Sequence, residues 1–132
     1  MINKSISLPT MGDIETIARA ELKLIPDELS RHITNVAIRV EEFPDAETEK
    51  NLGLESPFDL LGLYLGVPMD RKSTLDTPDG IDMIFLYYRP ILDYWCESGE
   101  DLDRVVRHVL IHEIGHHFGL SDEEMARIEE QD

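Results

Sequence analysis

The chain has 132 residues, which fits one domain, and 42% of them are hydrophobic, enough for a packed core. It carries 28 acidic and 12 basic residues, for a formal net charge of -16. Such a field repels polyanions, and no cluster of Lys and Arg could displace counterions from phosphates. Nucleic acid and anionic membrane surfaces are therefore excluded as partners.

The N-terminus and the cysteine content predict a cytoplasmic protein. The first ten residues lack the apolar stretch of a signal peptide, and no apolar run approaches the roughly 20 residues that span a bilayer. Cys96 is the only cysteine, which excludes an internal disulfide and a cysteine-based metal site. We expect Cys96 to be a buried or half-buried packing residue, because a free cysteine usually behaves as a small hydrophobe.

The N-terminal half is predicted to contain two helices and a strand. Residues 1–10 are interpreted as a tail. Apolar residues recur at helical spacing over residues 13–25, and a short second helix is predicted over residues 27–32. Residues 35–43 alternate between apolar and polar side chains, which indicates a half-buried strand. The acidic stretch 41–58 is predicted to be a loop with a solvated surface.

Two more strands and two helices are predicted to follow. Residues 60–68 and 81–88 are apolar enough for strands, and the polar stretch between them ends in a turn signal. Pro90 is expected to end the second of these strands. A helix from about residue 102 to 118 has apolar residues on most of its surface and is predicted to be largely buried. Gly119 then supplies a helix stop, and Ser121 can cap a last short helix.

The long helix carries a metal-binding pattern. His112 and His116 lie four residues apart, so their rings project from one face of the helix and can reach one ion. Glu113 follows the first histidine and stands beside such an ion rather than on it. That is the position needed for a general base acting on a metal-activated water.

A third ligand is predicted just beyond this helix. A catalytic zinc usually takes three protein ligands and leaves the fourth position to water. Gly119 tolerates the positive φ of a sharp turn, after which Asp122 could fold back to the metal. The alternative is a buried helix whose histidines only form hydrogen bonds. Two histidines and a carboxylate on an otherwise apolar helix are, however, costly to bury without partners.

The combined pattern resembles a known family of metallopeptidases. The spacing His112-Glu113-x-x-His116-x-x-Gly119-x-x-Asp122 is similar to that of the zincin metallopeptidases whose third ligand is aspartate. The longer stretch 112–125, together with segments 60–68 and 84–92, resembles the small, single-domain bacterial zincin-like metallopeptidases sometimes called minimal zincins.

This resemblance implies an α+β fold with a small mixed sheet packed on a buried active-site helix. It covers residues 11–132, which we expect to form a single domain. By matching positions, it implies one zinc ion held by His112, His116 and Asp122, with Glu113 as the catalytic residue.

Other polar residues lie near the motif. His108 is about 12 Å along the helix from His116, so it cannot share one ion with both predicted ligands, and we expect it to pair with a carboxylate or to be exposed. We expect His117 to hydrogen-bond a backbone carbonyl. Residues 81–88 are a candidate edge strand for pairing with an extended peptide. Candidates for an oxyanion donor, none of them assigned, are Tyr87, Tyr88, Arg89 and Tyr94.

The predicted function is hydrolysis of peptide bonds in a peptide or protein substrate, with a metal-activated water and Glu113 as the general base. The negative field favours a basic or neutral substrate. One alternative is a non-catalytic, zinc-stabilised interaction module, in which a fourth protein ligand such as Glu123 or Glu124 replaces the water. The other is a metal-dependent hydrolase with a non-peptide substrate. The sequence favours no oligomeric state.

Overall fold

The computed structural model of the chain describes residues 8–33, 35–66 and 81–131. In chain order its elements are α1 (Met11–Leu24), α2 (Asp27–Ser30), β1 (Val36–Glu41), α3 (Ala46–Leu52), a 3-10 helix (Pro57–Asp59), β2 (Gly62–Leu65), β3 (Asp82–Tyr87), α4 (Tyr88–Ser98), α5 (Leu102–His117) and α6 (Asp122–Glu129). This is the predicted α+β architecture. Most of the expected tail and the polar stretch 69–80 lie outside the described residues, and the division into a tail and one domain stays a prediction.

The sheet is small and mixed, as predicted. Its order is β1–β3–β2, with β1 parallel and β2 antiparallel to β3. Ile84 is flanked by its partners Ile38 and Tyr64, and this cross-strand row is buried. The prediction that residues 81–88 offer a free edge is wrong, because β3 is the central strand and its backbone is paired on both sides. Within the described residues, the edges of the sheet are β1 and β2.

The buried face of the sheet packs against α1 and α5. Both helices contribute fully buried apolar side chains, and α6, which packs on α5, adds two more. The core residues from these helices are Ile14, Ala18, Val105, Val106, Val109, Leu110, Ile111, Ile114, Met125 and Ile128. The prediction that α5 is largely buried is confirmed on the face that packs into the core.

A glycine lets the edge strand β2 lie very close to α5. A Cβ atom on Gly62 would lie 2.7 Å from Val109 Cγ1 and 3.1 Å from the carbonyl oxygen of Phe85. Neither neighbour has room to withdraw, since Val109 is buried and the carbonyl belongs to the sheet. A glycine inside a strand usually weakens it, but here the missing side chain allows β2 and α5 to meet.

One helix lies inside the stretch that was predicted to be a loop. The side chain of Asp45 accepts a 2.7 Å hydrogen bond from the Thr48 N–H and begins α3, and Gly53, with φ 65°, ends it. None of the side chains of α3 is buried. The acidic surface is solvated as expected, although its backbone is helical.

A second unexpected helix, α4, follows β3 without a loop. Pro90 was expected to end the strand, but the strand ends at Tyr87 and Pro90 is the third residue of the helix. Proline is tolerated there because the N–H groups of a first helical turn have no intrahelical acceptor. Cys96, farther along α4, is exposed, so its predicted burial is wrong. None of the helices in the described parts of the chain is both long enough and apolar enough to cross a bilayer.

Candidate metal centre

Helix α5 presents His112 and His116 from one face, as the spacing predicts. Their ring centroids are 5.8 Å apart and their ring planes are inclined at 78°. The side chain of His112 is 25% exposed and that of His116 is 58% exposed, so both are open to solvent while the opposite face of α5 is in the core. Two imidazoles are therefore available at the surface on a rigid, buried helix.

Glu113 lies between α5 and the edge strand β2. Its carboxylate accepts a hydrogen bond from the backbone N–H of Tyr64, and a Cβ on Gly62 would lie 3.4 Å from its Cγ. Burial raises the pKa of Glu113, while the nearby His116 and the Tyr64 N–H act in the opposite direction. The side chain is thus half-buried, in surroundings that favour proton uptake more than bulk water does.

The turn between α5 and α6 has the predicted form. Gly119 adopts φ 80°, and the N–H of Leu120 donates to the carbonyl of Gly115 across 2.9 Å. Ser121 and Glu124 then form a reciprocal capping box that begins α6. This capping role occupies a carboxylate oxygen of Glu124, one of the two residues considered as a fourth ligand.

Asp122, the first residue of α6, lies near one of the two predicted histidine ligands. Its Oδ1 atom is 3.9 Å from His116 Nε2, and its side chain is 94% exposed. In the described parts of the chain, the one close group of three possible metal-binding residues is a different one, made of His108, His112 and Glu129. The ligand set His112, His116 and Asp122 stays a prediction: Asp122 lies near His116, but the donors of the three residues are not gathered in ligating positions.

Sequence reasoning did not single out Glu129, which lies at the end of α6. Its Oε1 atom is 3.2 Å from His112 Nε2, and its Oε2 atom is 2.5 Å from His108 Nδ1. The expectation that His108 pairs with a carboxylate is therefore confirmed. No local pattern identifies the partner, because only the packing of α6 on α5 brings it there.

Arg107 fixes the end of α6 over these histidines. Its Nη2 atom donates to the carbonyl of Gln131 across 2.6 Å and to the carbonyl of Ile128 across 3.2 Å. Carbonyls at the end of a helix lack intrahelical partners, so a guanidinium there satisfies them. Its positive charge also interacts favourably with the negative end of the helix dipole. The position of Glu129 is thereby set by backbone contacts as well as by its own side chain.

The donors at this centre suit a zinc ion. Burial lowers the pKa of His112, as does the neighbouring His108, whereas Glu129 acts to raise it. A neutral imidazole is the form that binds metals. Imidazole nitrogens together with carboxylate oxygens are ligands that zinc accepts at about 2.0–2.2 Å. The residues present therefore fit the metal that the sequence motif implies.

A cleft of about 270 Å³ opens beside His112 and Glu113. Its other walls are mostly apolar and come from the 3-10 helix, the chain after it, α4 and α5. They consist of Asp59, Leu60, Leu61, Tyr94, His108 and Val109. A larger cleft, of about 510 Å³, lies over the outer face of the sheet and contains none of the histidines. Of these two clefts, the smaller one is lined by the motif residues His112 and Glu113.

Two of the tyrosines considered as oxyanion donors are engaged or buried elsewhere. The Tyr88 hydroxyl donates to the carbonyl of Pro9 across 2.5 Å, and Tyr87 is only 4% exposed. Tyr94 lines the cleft next to His112. His117 stacks on Tyr64 with ring centroids 4.1 Å apart, and its expected hydrogen bond to a carbonyl stays a prediction.

The profile of the zincin-like metallopeptidase family matches residues 33–131, which include every residue of this centre. The chain belongs to the zincin-like metallopeptidase family. A conserved hypothetical protein from Thermus thermophilus has a similar structure, with a TM-score of 0.51 and 22% sequence identity over 89% of this chain and 98% of its own. At that identity the likeness shows a shared fold. No curated protein matches the chain significantly.

Proposed function

We propose that this member of the zincin-like family is a zinc-dependent peptidase that hydrolyses peptide bonds in a peptide or protein substrate. The observation that carries the proposal is the position of Glu113. Glu113 follows His112 on α5, its half-buried side chain lines the cleft beside that histidine, and its carboxylate accepts from the Tyr64 N–H. Family membership gives that arrangement its chemical meaning.

His112, His116 and Asp122 would hold the metal. The helical spacing places the two imidazoles on one face, and the turn at Gly119 brings Asp122 within 3.9 Å of His116. Bound there, zinc would activate a water molecule and polarise the carbonyl of the scissile bond. The Asp122 side chain is 94% exposed, so other rotamers are open to it when a metal binds.

Glu113 would transfer the proton. Its carboxylate accepts a proton from the attacking water and later donates it to the leaving amine, so the same group acts first as base and then as acid. The Tyr64 N–H stabilises the charged form of this carboxylate and so acts against the effect of burial on its pKa. The apolar walls of the cleft, including Leu61 and Tyr94, would hold a substrate side chain and exclude competing water.

The test combines metal analysis with digestion of a peptide library by the wild-type protein and by Glu113→Gln. We expect the variant to keep its zinc and to lose about 10²–10⁴-fold in the rate of peptide hydrolysis, as is typical when a general base is removed. Glu130→Gln is the matched control, because Glu130 is an exposed acid just after the last residue of α6 and belongs to neither ligand set. It should keep both zinc and rate.

Two results would contradict the proposal. An unchanged rate in Glu113→Gln would remove Glu113 from the chemistry. A wild-type protein that holds zinc but cleaves no library peptide, while hydrolysing a non-peptide ester or amide, would assign the centre to a different hydrolase.

A further inference from the structure

We propose that His108, His112 and Glu129 form a second site for a divalent transition-metal ion. This site shares His112 with the predicted set His112, His116 and Asp122, so an ion occupies one site or the other. The ligand class is the set of ions that accept imidazole and carboxylate together, with zinc, cobalt and nickel as probes. Metal binding here does not depend on peptide hydrolysis, so the proposal can stand or fall separately from the proposed function.

The helix repeats the metal-binding spacing one turn earlier. His108 and His112 are four residues apart, as are His112 and His116, so α5 carries two overlapping histidine pairs. The ring centroids of the earlier pair are 4.1 Å apart, closer than the 5.8 Å of the later pair. On ring separation alone, the earlier pair is the more compact of the two.

Glu129 completes this earlier pair. Its two oxygens face the two rings, at 2.5 Å from His108 Nδ1 and 3.2 Å from His112 Nε2, and the ligand atoms of the three residues all lie within 4.8 Å of one another. Donor atoms in a tetrahedral zinc site are roughly 3.3 Å apart, given bonds of about 2.0–2.1 Å. Small side-chain rotations therefore suffice to admit an ion among these three residues.

The surroundings keep this group in place without closing it. The side chains of His108 and Glu129 are 41% and 28% exposed, so an ion can enter from solvent. Arg107 fixes the backbone on either side of Glu129 through the carbonyls of Ile128 and Gln131. The single carboxylate also supplies negative charge beside two imidazoles that bind metals in their neutral form.

The two sites exclude each other because they share His112. A neutral imidazole has one nitrogen with a free lone pair, so it ligates one ion at a time. His108 is about 12 Å along the helix from His116, which is too far for one ion to use both of them. An ion held by His108, His112 and Glu129 therefore leaves His116 and Asp122 without their shared partner. Each chain should bind one ion, distributed between two positions.

The decisive experiment removes the predicted set and asks whether binding persists. The double variant His116→Ala/Asp122→Ala should still bind about one zinc per chain in equilibrium dialysis. Adding Glu129→Gln or His108→Ala should weaken that binding by more than about 10-fold, which is the smallest loss usual even for an outer-shell partner. Glu130→Gln, an exposed acid next in sequence to Glu129, is the matched control and should leave binding unchanged.

Cobalt substitution gives a second readout that is independent of activity. The visible absorption spectrum of cobalt bound to the double variant should differ from that of cobalt bound to Glu129→Gln, because the two proteins offer different donors. Far-ultraviolet circular dichroism verifies that each variant is folded, and the near-isosteric Glu129→Gln guards against a folding defect in His108→Ala.

Three outcomes would overturn the proposal. In the first, the double variant binds no zinc above the level of a protein that lacks His108, His112 and His116. In the second, its binding is unaffected by Glu129→Gln and by His108→Ala. In the third, the wild-type protein binds two ions at once, which contradicts the exclusion through His112. In each case the proposed function is tested separately. The test is whether Glu129→Gln, which keeps His116 and Asp122, still binds zinc and hydrolyses peptides.

Discussion

Replacing Gly115 by alanine tests how closely α6 packs on the metal-binding helix. A Cβ on Gly115 would overlap Met125 Sδ and lie 2.7 Å from Met125 Cγ, and Met125 is fully buried, so its side chain has little room to move. Overpacking of this kind costs about 1–3 kcal/mol. Alanine in a helix interior recovers about 1 kcal/mol relative to glycine. We therefore expect Gly115→Ala to destabilise the protein by about 1 kcal/mol.

The sign should reverse when Met125 is shortened. Met125→Ala alone should cost about 2–5 kcal/mol, because it leaves a cavity at the α5–α6 contact. In that background Gly115→Ala no longer overlaps anything, so the gain of about 1 kcal/mol from helix propensity remains. The double-mutant cycle should yield a coupling energy of about 1–3 kcal/mol, as is usual for residues in direct contact.

Urea unfolding followed by far-ultraviolet circular dichroism measures each free energy of unfolding. Gly12→Ala is the matched control, since Gly12 is also helical but a Cβ there would meet only Thr10 Oγ1, at 3.7 Å. It should stabilise the protein or leave it unchanged. The reasoning is refuted if Gly115→Ala stabilises the protein as Gly12→Ala does, or if the effects of Gly115→Ala and Met125→Ala simply add.

Three further predictions concern the helix turn, the helix cap and one buried tyrosine. Gly119→Ala and Gly99→Ala, at φ 80° and 72°, should each cost about 1–2 kcal/mol in unfolding free energy, but only Gly119→Ala should weaken zinc binding in a dialysis titration. Ser121→Ala should lower the free energy of unfolding by about 1 kcal/mol in urea, through loss of the capping box. Burial raises the pKa of Tyr87 to about 12, so its stabilising contribution is complete below pH 10 and is lost as the pH rises from 10 to 12. Between pH 10 and 11 the stability of the wild-type protein should therefore fall by roughly 1 kcal/mol more than that of Tyr87→Phe, and parallel pH profiles would contradict this assignment.

The sequence was most informative where the structural signal is local. Ser121 caps α6 through a group three residues away, and Gly119 ends α5 through its own backbone conformation, so both boundaries follow from a few neighbouring residues. The projection of His112 and His116 from one face of the helix, with Glu113 beside them, likewise depends only on helical periodicity.

The missed helices had weak or misleading local signals. Helix α4 follows β3 directly, with no side-chain cap on Tyr87, and its Pro90 suggested an ending rather than a first turn. Helix α3 is short and buries no side chain, so it has no apolar stripe to reveal it. The order of the strands was also beyond local patterns, because an apolar strand at the centre of a sheet and one at its edge can have similar sequences.

The carboxylate beside the histidines was not predictable for a different reason. Glu129 is one of several acids in α6, and nothing in its immediate sequence distinguishes it from Glu130. It reaches His108 and His112 because Arg107 and the buried Met125 and Ile128 fix how α6 lies across α5. That arrangement depends on tertiary packing, so no local sequence pattern reveals it.

Gly62 has a consequence for how substitutions in this protein should be interpreted. It has no chemistry of its own and is distant in sequence from the histidine motif. Yet it sets the gap across which Glu113 reaches the Tyr64 N–H, since any side chain at position 62 would press against Val109 and push the strand outward. A substitution at this position would therefore leave every reactive side chain present but would move β2, and with it the Tyr64 N–H, away from the Glu113 carboxylate.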